Sequence, residues 1–395
     1  MTATLIHAID LLLWTVMAVS VAYVAFFAFA SLLRKRALQA PATTGRLNRF
    51  VVFYPAYQED RVIRHSVETF LQQDYPKDHF QLVVISDHME PATNEWLARQ
   101  PLTLVQPVFE KSSKAKALQY AMGAVEGGKD FVVILDADNV VAPDFLSRLN
   151  ELCNRGYTVI QCHRTAKNSD NDIALLDGVS EEINNSLFRR AHNRIGLSSA
   201  LIGSGMCFGY EWFRANVQQL STAGEDRELE ALLLRQRKYV HYAEDIYVMD
   251  EKVSTGDNFQ RQRLRWMTAQ VQCLLAMLPY LPKALATGNI DYVDKTLQQA
   301  LIPRSILLVL TAVFALFSTL LAVATSVLSP LAALKWWCLL LVLLLALAVA
   351  IPRQLRSRTL VGKALLVPRL AGHMIANVVR IDKNSKDFIH TTHNQ

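Results

Sequence analysis

Phe131-Val132-Val133-Ile134-Leu135, followed at once by Asp136-Ala137-Asp138, is the stretch that decides the fold. An apolar, β-branched run of this length predicts a buried strand, and ligands of α/β sheets bind at the carboxyl ends of strands. A lone Asp-x-Asp is more often a solvated turn, but its position directly after a buried strand favours a cation site. Carboxylate oxygens so placed suit Mg²⁺ or Mn²⁺, which substrate phosphates often share.

Strand-like and helix-like segments alternate around this stretch. The apolar runs are 50–53, 81–85 and 157–161, and the helical stretches are 62–72, 114–126 and 144–153. This alternation predicts an α/β fold with a mostly parallel sheet. Glu59 and Asp60 follow the first run and Asp87 follows the second. We therefore expect carboxylates from three strand ends to meet at one edge of the sheet.

The composition divides the chain into a soluble-like middle and apolar ends. Of 395 residues, 51% are hydrophobic and 19% are charged, and the five cysteines are scattered. These values exclude a disordered chain and a small disulfide scaffold. The net charge of +6 suits anionic lipid headgroups or a phosphorylated substrate and gives no support to nucleic-acid binding.

Three apolar runs predict an integral membrane protein. Residues 11–33, 306–328 and 336–351 are the runs, and basic residues follow the first and the last. Basic flanks mark the cytosolic side, so the middle is expected in the cytosol, at a bacterial inner membrane. A cleaved signal peptide is the alternative for the first run, but its basic residues would precede the apolar ones. Residues 360–379 carry charges and predict an interfacial helix, with a fourth span as the alternative.

These runs set the expected domain boundaries. The expected parts are a transmembrane helix over 1–36, a cytosolic domain over 37–275, interfacial helices over 276–303, a transmembrane hairpin over 304–352, and an interfacial helix with a tail over 353–395.

Several motifs of the middle part stand in a recognisable order. They are Pro55-Ala56-Tyr57-Gln58-Glu59-Asp60, Ser86-Asp87, Lys114-Ala115-Lys116-Ala117-Leu118-Gln119, Asp136-Ala137-Asp138, Glu225-Asp226 and Gln262-Arg263-Leu264-Arg265-Trp266. Over about residues 50–275 the chain resembles membrane-integrated, inverting family-2 glycosyltransferases with a GT-A fold, the type that includes cellulose and hyaluronan synthases. Gly224 departs from the pattern, because threonine is usual before the Glu-Asp pair.

The resemblance implies a role for each matching residue. Ala56, Tyr57 and Glu59 would line the nucleotide pocket, Asp87 would accept a hydrogen bond from uracil, and Lys114 would lie near the nucleotide or its phosphates. Asp136 would contact the ribose or the metal-bound diphosphate, and Asp138 would ligate the metal. Asp226 would be the general base, and Gln262, Arg265 and Trp266 would form the floor beside the diphosphate and acceptor.

Three assignments keep an alternative. Glu225 and Asp226 precede a helical run, so they would otherwise cap that helix. Gly203-Ser204-Gly205 resembles a loop that faces the acceptor and would otherwise be an ordinary turn. The segment 388–393, with Thr391 and His393, resembles the gating loop of bacterial cellulose synthase. It would otherwise be a frayed tail or bind stray metal.

The expected function is metal-dependent, inverting transfer of a sugar from a UDP-sugar to a lipid-linked or glycan acceptor at the cytosolic membrane face. Membrane lipids, a second copy or an export subunit are the expected partners. A processive polysaccharide synthase is the alternative. The Gln-x-x-Arg-Trp motif, which is typical of processive members, favours it, whereas three membrane crossings are few for a polymer channel. A non-catalytic membrane scaffold is the remote alternative. A dinucleotide-binding oxidoreductase is excluded, because no Gly-x-Gly-x-x-Gly follows the first strand.

Overall fold

An eight-stranded sheet lies at the centre of the protein. The computed structural model describes residues 2–35, 45–222, 224–325, 328–356, 358–363 and 366–381. The strands are β1 (Phe50–Tyr57), β2 (Phe80–Asp87), β3 (Thr103–Val105), β4 (Phe131–Ile134), β5 (Val140–Val141), β6 (Val159–Ala166), β7 (Met206–Gly209) and β8 (His241–Asp250). Their spatial order is β3-β2-β1-β4-β7-β6-β8-β5.

Most neighbouring strands run parallel, which confirms the predicted sheet. β1 pairs in parallel with β2 and β4, β2 with β3, and β6 with β8. β7 runs antiparallel to β4 and β6, and β5 antiparallel to β8. Helices cover both faces of the sheet, because separate apolar clusters pack on its two sides. Central strands buried on both faces explain the nearly unbroken apolar runs in the sequence.

Two strands extend beyond the apolar runs that predicted them. The β1–β2 ladder continues from Phe50 opposite Phe80 to Tyr57 opposite Asp87. Ala56, Tyr57 and Asp87 therefore belong to the last residue pairs of the two strands rather than to the loops after them. The pairing continues because backbone hydrogen bonds, not side-chain polarity, hold these residues in the sheet.

Sixteen helices occur among the described residues. They are α1 (Thr2–Ala30), α2 (Ile63–Phe70), α3 (Pro91–Ala98), α4 (Lys114–Ala124), α5 (Phe145–Asn154), α6 (Asp172–Asn184), α7 (Ala191–Ile195), α8 (Tyr210–Asn216), α9 (Glu225–Arg235), α10 (Gly256–Met277), α11 (Leu281–Ala286), α12 (Ile290–Ala300), α13 (Arg304–Ala324), α14 (Pro330–Ala350), α15 (Arg358–Lys363) and α16 (Val367–Val378). A π-helical turn, Asn185–Arg190, joins α6 to α7.

Helices α1, α13 and α14 are long and apolar enough to cross a membrane. They fit the three expected crossings, one near the N-terminus and two in the C-terminal part. The three helices pack on one another. A polar contact joins two of them, because Asp10 of α1 accepts hydrogen bonds from Lys335 Nζ at 2.5 Å and Trp336 Nε1 at 2.7 Å of α14. Helix α16 has 12 residues and packs against α10 and α13. Its interfacial position stays a prediction.

Gly205 provides a stability test of the sheet. Its φ is +62°, and a Cβ there would lie 2.9 Å from Val248 Cγ2 of β8. We expect Gly205→Ala to lower the free energy of unfolding by about 2 kcal/mol, through left-handed strain and overpacking. Thermal unfolding in detergent measures this loss. Gly123→Ala in α4 is the control, since its Cβ would meet nothing within 4 Å. Equal stability of the two variants would contradict the packing.

Candidate functional site

A cavity of about 680 Å³ opens beside the carboxyl ends of β1, β2 and β4. Its volume lies in the range of small-molecule sites, about 300–1,000 Å³. From the sheet edge it extends along α10 and reaches residues of α1, α13 and α14. The predicted residues that line it are Ala56, Tyr57, Glu59, Asp87, Lys114, Asp136, Asp138, Gly203, Glu225, Asp226, Gln262, Arg265 and Trp266.

Lys114 is the centre of an ionic cluster at the sheet edge. Ser113 caps α4 by accepting a hydrogen bond from Lys116 N, which places Lys114 at the first helical position. Lys114 Nζ donates to Gly203 O at 2.6 Å, forms an ion pair with Asp136, and lies 3.4 Å from Glu225 Oε1. Burial alone would lower the pKa of Lys114, but the two carboxylates outweigh it and raise that pKa. Likewise, burial opposes the charge of Asp136, but Lys114 lowers the pKa of Asp136.

Asp138 is buried and held by hydrogen bonds on both oxygens. Its Oδ2 accepts from Glu251 N at 2.8 Å and its Oδ1 from Asn139 Nδ2 at 3.0 Å. Within the described part of the chain, no group of three or more His, Cys, Asp or Glu side chains could hold a metal ion alone. Two carboxylates completed by substrate phosphates and water are a usual site for Mg²⁺. The donor set formed by Asp136 and Asp138 therefore fits a divalent cation that binds together with a diphosphate.

Glu225 and Asp226 begin α9 beside Gly203. A Cβ on Gly203, whose φ is +87°, would lie 3.8 Å from both Asp226 Oδ2 and Glu225 Oε1. Asp226 Oδ1 accepts a hydrogen bond from the backbone N of the adjacent Arg227 at 2.8 Å. The other oxygen stays at the cavity. Position 224, where threonine is usual, is packed closely against α10. A Cβ there would lie 2.9 Å from Ala269 Cβ, so glycine suits this position.

Burial raises the pKa of Glu225 to about 7, with Lys114 opposing and Asp226 and Asp136 adding to the rise. A carboxyl whose pKa is higher in the folded than in the unfolded state costs stability as pH rises from about 4.5 to 7. We therefore expect Glu225→Gln to raise the melting temperature of the metal-free protein at pH 8 and to change it little at pH 4.5. Glu228→Gln, in the same helical turn, is the control. An equal gain at both pH values would contradict the buried charge.

The strand residues form the other wall of the cavity. Asp87 is buried, and its Oδ1 lies 2.6 Å from His88 Nδ1. The ring of His88 meets the ring of Tyr57 edge to face at 5.6 Å between centroids. Ala56 and Glu59 line the cavity beside them. An acidic acceptor, the ring of Tyr57 and the small side chain of Ala56 are a chemistry that suits a flat heterocyclic base.

Helix α10 forms the floor of the cavity. Gln262 and Arg265 lie on the same face of this helix, as their spacing predicted, and Trp266 lies beside them. Burial lowers the pKa of Arg265, while Glu225 and Asp136 oppose the shift. Gln262 Oε1 is buried without a hydrogen-bond partner, and the guanidinium of Arg263 stacks on Trp266 at 4.3 Å. Arg265 thus brings a cation to the cavity, while the Oε1 atom of Gln262 is enclosed by protein.

Two predicted residues lie elsewhere in the described structure. Ser204 and Gly205 are buried behind Gly203 and do not line the cavity, because Ser204 O accepts from Gln161 Nε2 and Gly205 packs on β8. Thr391 and His393 lie outside the described residues.

Sequence reasoning missed a buried ionic network at the cavity, close to Asp136 and Asp138. Arg164, Glu181, Asp250 and Lys252 form it, with Arg164 Nη2 2.8 Å from Glu181 and Lys252 Nζ 2.7 Å from Asp250. Burial opposes the charge of Arg164, but Glu181 and Asp250 raise its pKa. Arg164 follows the predicted strand 157–161, so the rule that ligands bind at strand ends gave a signal for it. Nothing in the sequence signalled its partner Glu181.

The chain belongs to a known family. The profile described as glycosyltransferase-like family 2 matches residues 48–269, more than half of the chain. This confirms the family-2 part of the expected resemblance and identifies the domain as a glycosyltransferase domain. The narrower resemblance to cellulose and hyaluronan synthases stays a prediction.

Individual relatives are distant. The probable glycosyltransferase YdaM of Bacillus subtilis is 26% identical over 98 residues, which are 24% of this chain and 23% of YdaM. The chain thus matches less than a quarter of that curated relative. The mannosyltransferase PcManGT from Pyrobaculum calidifontis, solved with GDP-Man and Mn²⁺, is 19% identical. The match covers 92% of this chain and 98% of that one, with a TM-score of 0.54, and confirms the GT-A-like fold.

Proposed function

We propose that this protein transfers a sugar from a nucleotide sugar, with inversion and with a divalent metal, to an acceptor at the membrane. The observation that carries the proposal is that one cavity holds a cation-ready carboxylate pair, two basic side chains and a separate carboxylate. These are Asp136 with Asp138, Lys114 with Arg265, and Asp226. A scaffold without turnover has no need of this combination.

Each group of residues in the cavity has a separate role in the proposed reaction. Asp136 and Asp138 would hold Mg²⁺ or Mn²⁺, which when bound neutralises charge on the leaving diphosphate. Lys114 and Arg265 add positive charge at the place where the diphosphate gains negative charge. Asp226 takes the proton from the acceptor hydroxyl, whose oxygen attacks the anomeric carbon as the diphosphate leaves. Asp87, Tyr57, Ala56 and Glu59 hold the base, and uracil is the expected one.

The cavity favours an acceptor that comes from the membrane. It is lined by Val24 of α1, Leu308 of α13 and Leu344 of α14, three helices that can span a bilayer. A lipid-linked acceptor would reach the carboxylate cluster through this end without leaving the bilayer. The inner membrane and a cytosolic catalytic domain are parts of the same proposal.

Nucleotide release tests the proposal. Purified protein in detergent is given Mn²⁺ or Mg²⁺, a panel of UDP-sugars and GDP-mannose, with and without membrane lipid extract. We expect release with one donor that rises with lipid and stops with chelator. Release without lipid, together with a high-mass product, would instead favour a processive polymerase. No release with any donor, metal and lipid would favour the scaffold.

A further inference from the structure

Resting on the proposed function, we infer that the acceptor is a membrane lipid that bears a phosphate as well as the hydroxyl group that receives the sugar. Its phosphate binds Arg304, Arg263 and Arg189 in the membrane-side half of the cavity, and its hydrocarbon chain lies along α13 and α14. Nothing in the family match assigns this half of the cavity.

Arg304 has only neutral partners. It is the first residue of α13, and its Nη2 donates to Asn184 Oδ1 at 2.7 Å, Ser180 O at 3.1 Å and Ser180 Oγ at 3.3 Å. No carboxylate of the described residues forms an ion pair with it, and it lines the cavity. A guanidinium held by neutral oxygens at a cavity wall keeps its charge available for an anion.

Arg263 of α10 and Arg304 of α13 both contact α6, at neighbouring positions of that helix. Arg263 pairs with Asp177, and Arg304 bonds Ser180 and Asn184, which follow Asp177 by three and seven residues on one helical face. Arg189 comes one turn later and donates to Asn185 at 2.8 Å. Arg189 and Arg263 are both more than nine-tenths buried, and the Nε of each has no hydrogen-bond acceptor.

Arg304 differs from the neighbouring buried cations, which are paired with carboxylates. Asp177 pairs with Arg263, Glu181 with Arg164, Arg189 and Lys252, and Asp250 with Arg164 and Lys252. Glu182, the next carboxylate of α6, is occupied by His163 at 2.9 Å and Thr165 at 3.0 Å. A buried cation without a counter-ion is unfavourable, and a lipid phosphate would supply one for Arg304.

The same cavity continues into an apolar slot. Beyond Arg304 it is lined by Leu308 of α13 and by Leu344, Leu347 and Ala348 of α14. Leu344 lies on α14, a helix apolar enough to span a membrane. A glycan would place hydroxyl groups against these side chains and leave the arginines without an anion. A lipid with a phosphate fits both the arginines and the apolar slot. Its charge and its hydrocarbon chain are as close together as Arg304 and Leu308.

Lipid binding without any donor tests the inference. Full-length protein in neutral detergent is titrated with dioleoyl phosphatidic acid or dioleoylglycerol, and bound lipid is counted by native mass spectrometry. We expect the wild type to prefer the phosphatidic acid and Arg304→Gln to weaken its binding about tenfold, the value of a lost charged hydrogen bond. Arg304→Lys should keep most of the affinity. Arg353→Gln, which removes an exposed arginine beyond the end of α14, is the matched control.

Three results would overturn the inference: equal binding of the two lipids, equal affinity of Arg304→Gln and Arg353→Gln, or full displacement of the lipid by inorganic phosphate alone. Should Arg304→Gln not fold, Ala348→Trp replaces it, since filling the slot should weaken the lipid but not inorganic phosphate. Nucleotide release is measured separately. Arg304-dependent lipid binding without nucleotide release would refute only the proposed function, and nucleotide release without such binding would refute only the lipid site.

Discussion

Asp226→Asn is expected to lower turnover by about 10²–10⁴-fold while donor affinity stays unchanged, because only the proton acceptor is lost. The amide has nearly the shape of the carboxylate, and its Oδ1 can still accept the hydrogen bond that Arg227 N donates to Asp226. The start of α9 is therefore preserved. Steady-state nucleotide release gives the turnover, and calorimetric titration with the nucleotide and metal gives the affinity.

Two neighbours of Asp226 serve as controls. Glu228→Gln, in the same helical turn, should keep full turnover, because Glu228 bonds Ser221 at the protein surface. Glu225→Gln should bring a smaller loss than Asp226→Asn, since Glu225 lies 3.4 Å from Lys114 and its pKa of about 7 leaves it partly protonated. If Glu225→Gln abolished turnover and Asp226→Asn did not, Glu225 would be the base.

The half of the site beside the sheet could be predicted because strand order fixes it. Buried apolar runs identify β1, β2 and β4, and parallel strands place their carboxyl ends at one edge. Asp87 and Asp136 were therefore expected near each other before any distance was known. The one surprise here is Lys114 bound to Asp136, since a helix start and a strand end carry no sequence signal of their contact.

The membrane-side half could not be predicted because distant partners form it. Arg263 pairs with Asp177 across 86 residues, and Arg304 bonds Ser180 across 124. In the sequence Arg304 looks like any basic residue that flanks an apolar span. Only the fold brings its side chain onto α6. The reversed strand β7 was equally hidden, because a short apolar run gives no direction.

Asp138→Asn is expected to weaken the binding of UDP with Mn²⁺ at least about tenfold, because losses of that size follow even changes next to a metal ligand. Binding of UDP with chelator should not change, since Lys114 and Arg265 still face the diphosphate. Titration of UDP under both conditions separates the two effects. Asp144→Asn, an exposed aspartate at the start of α5, is the control and should behave as the wild type. Unchanged affinity with Mn²⁺ would remove Asp138 from the ligand set. The diphosphate would then be neutralised by Lys114 and Arg265, and the ion pair between Lys114 and Asp136 would have to open for it to bind.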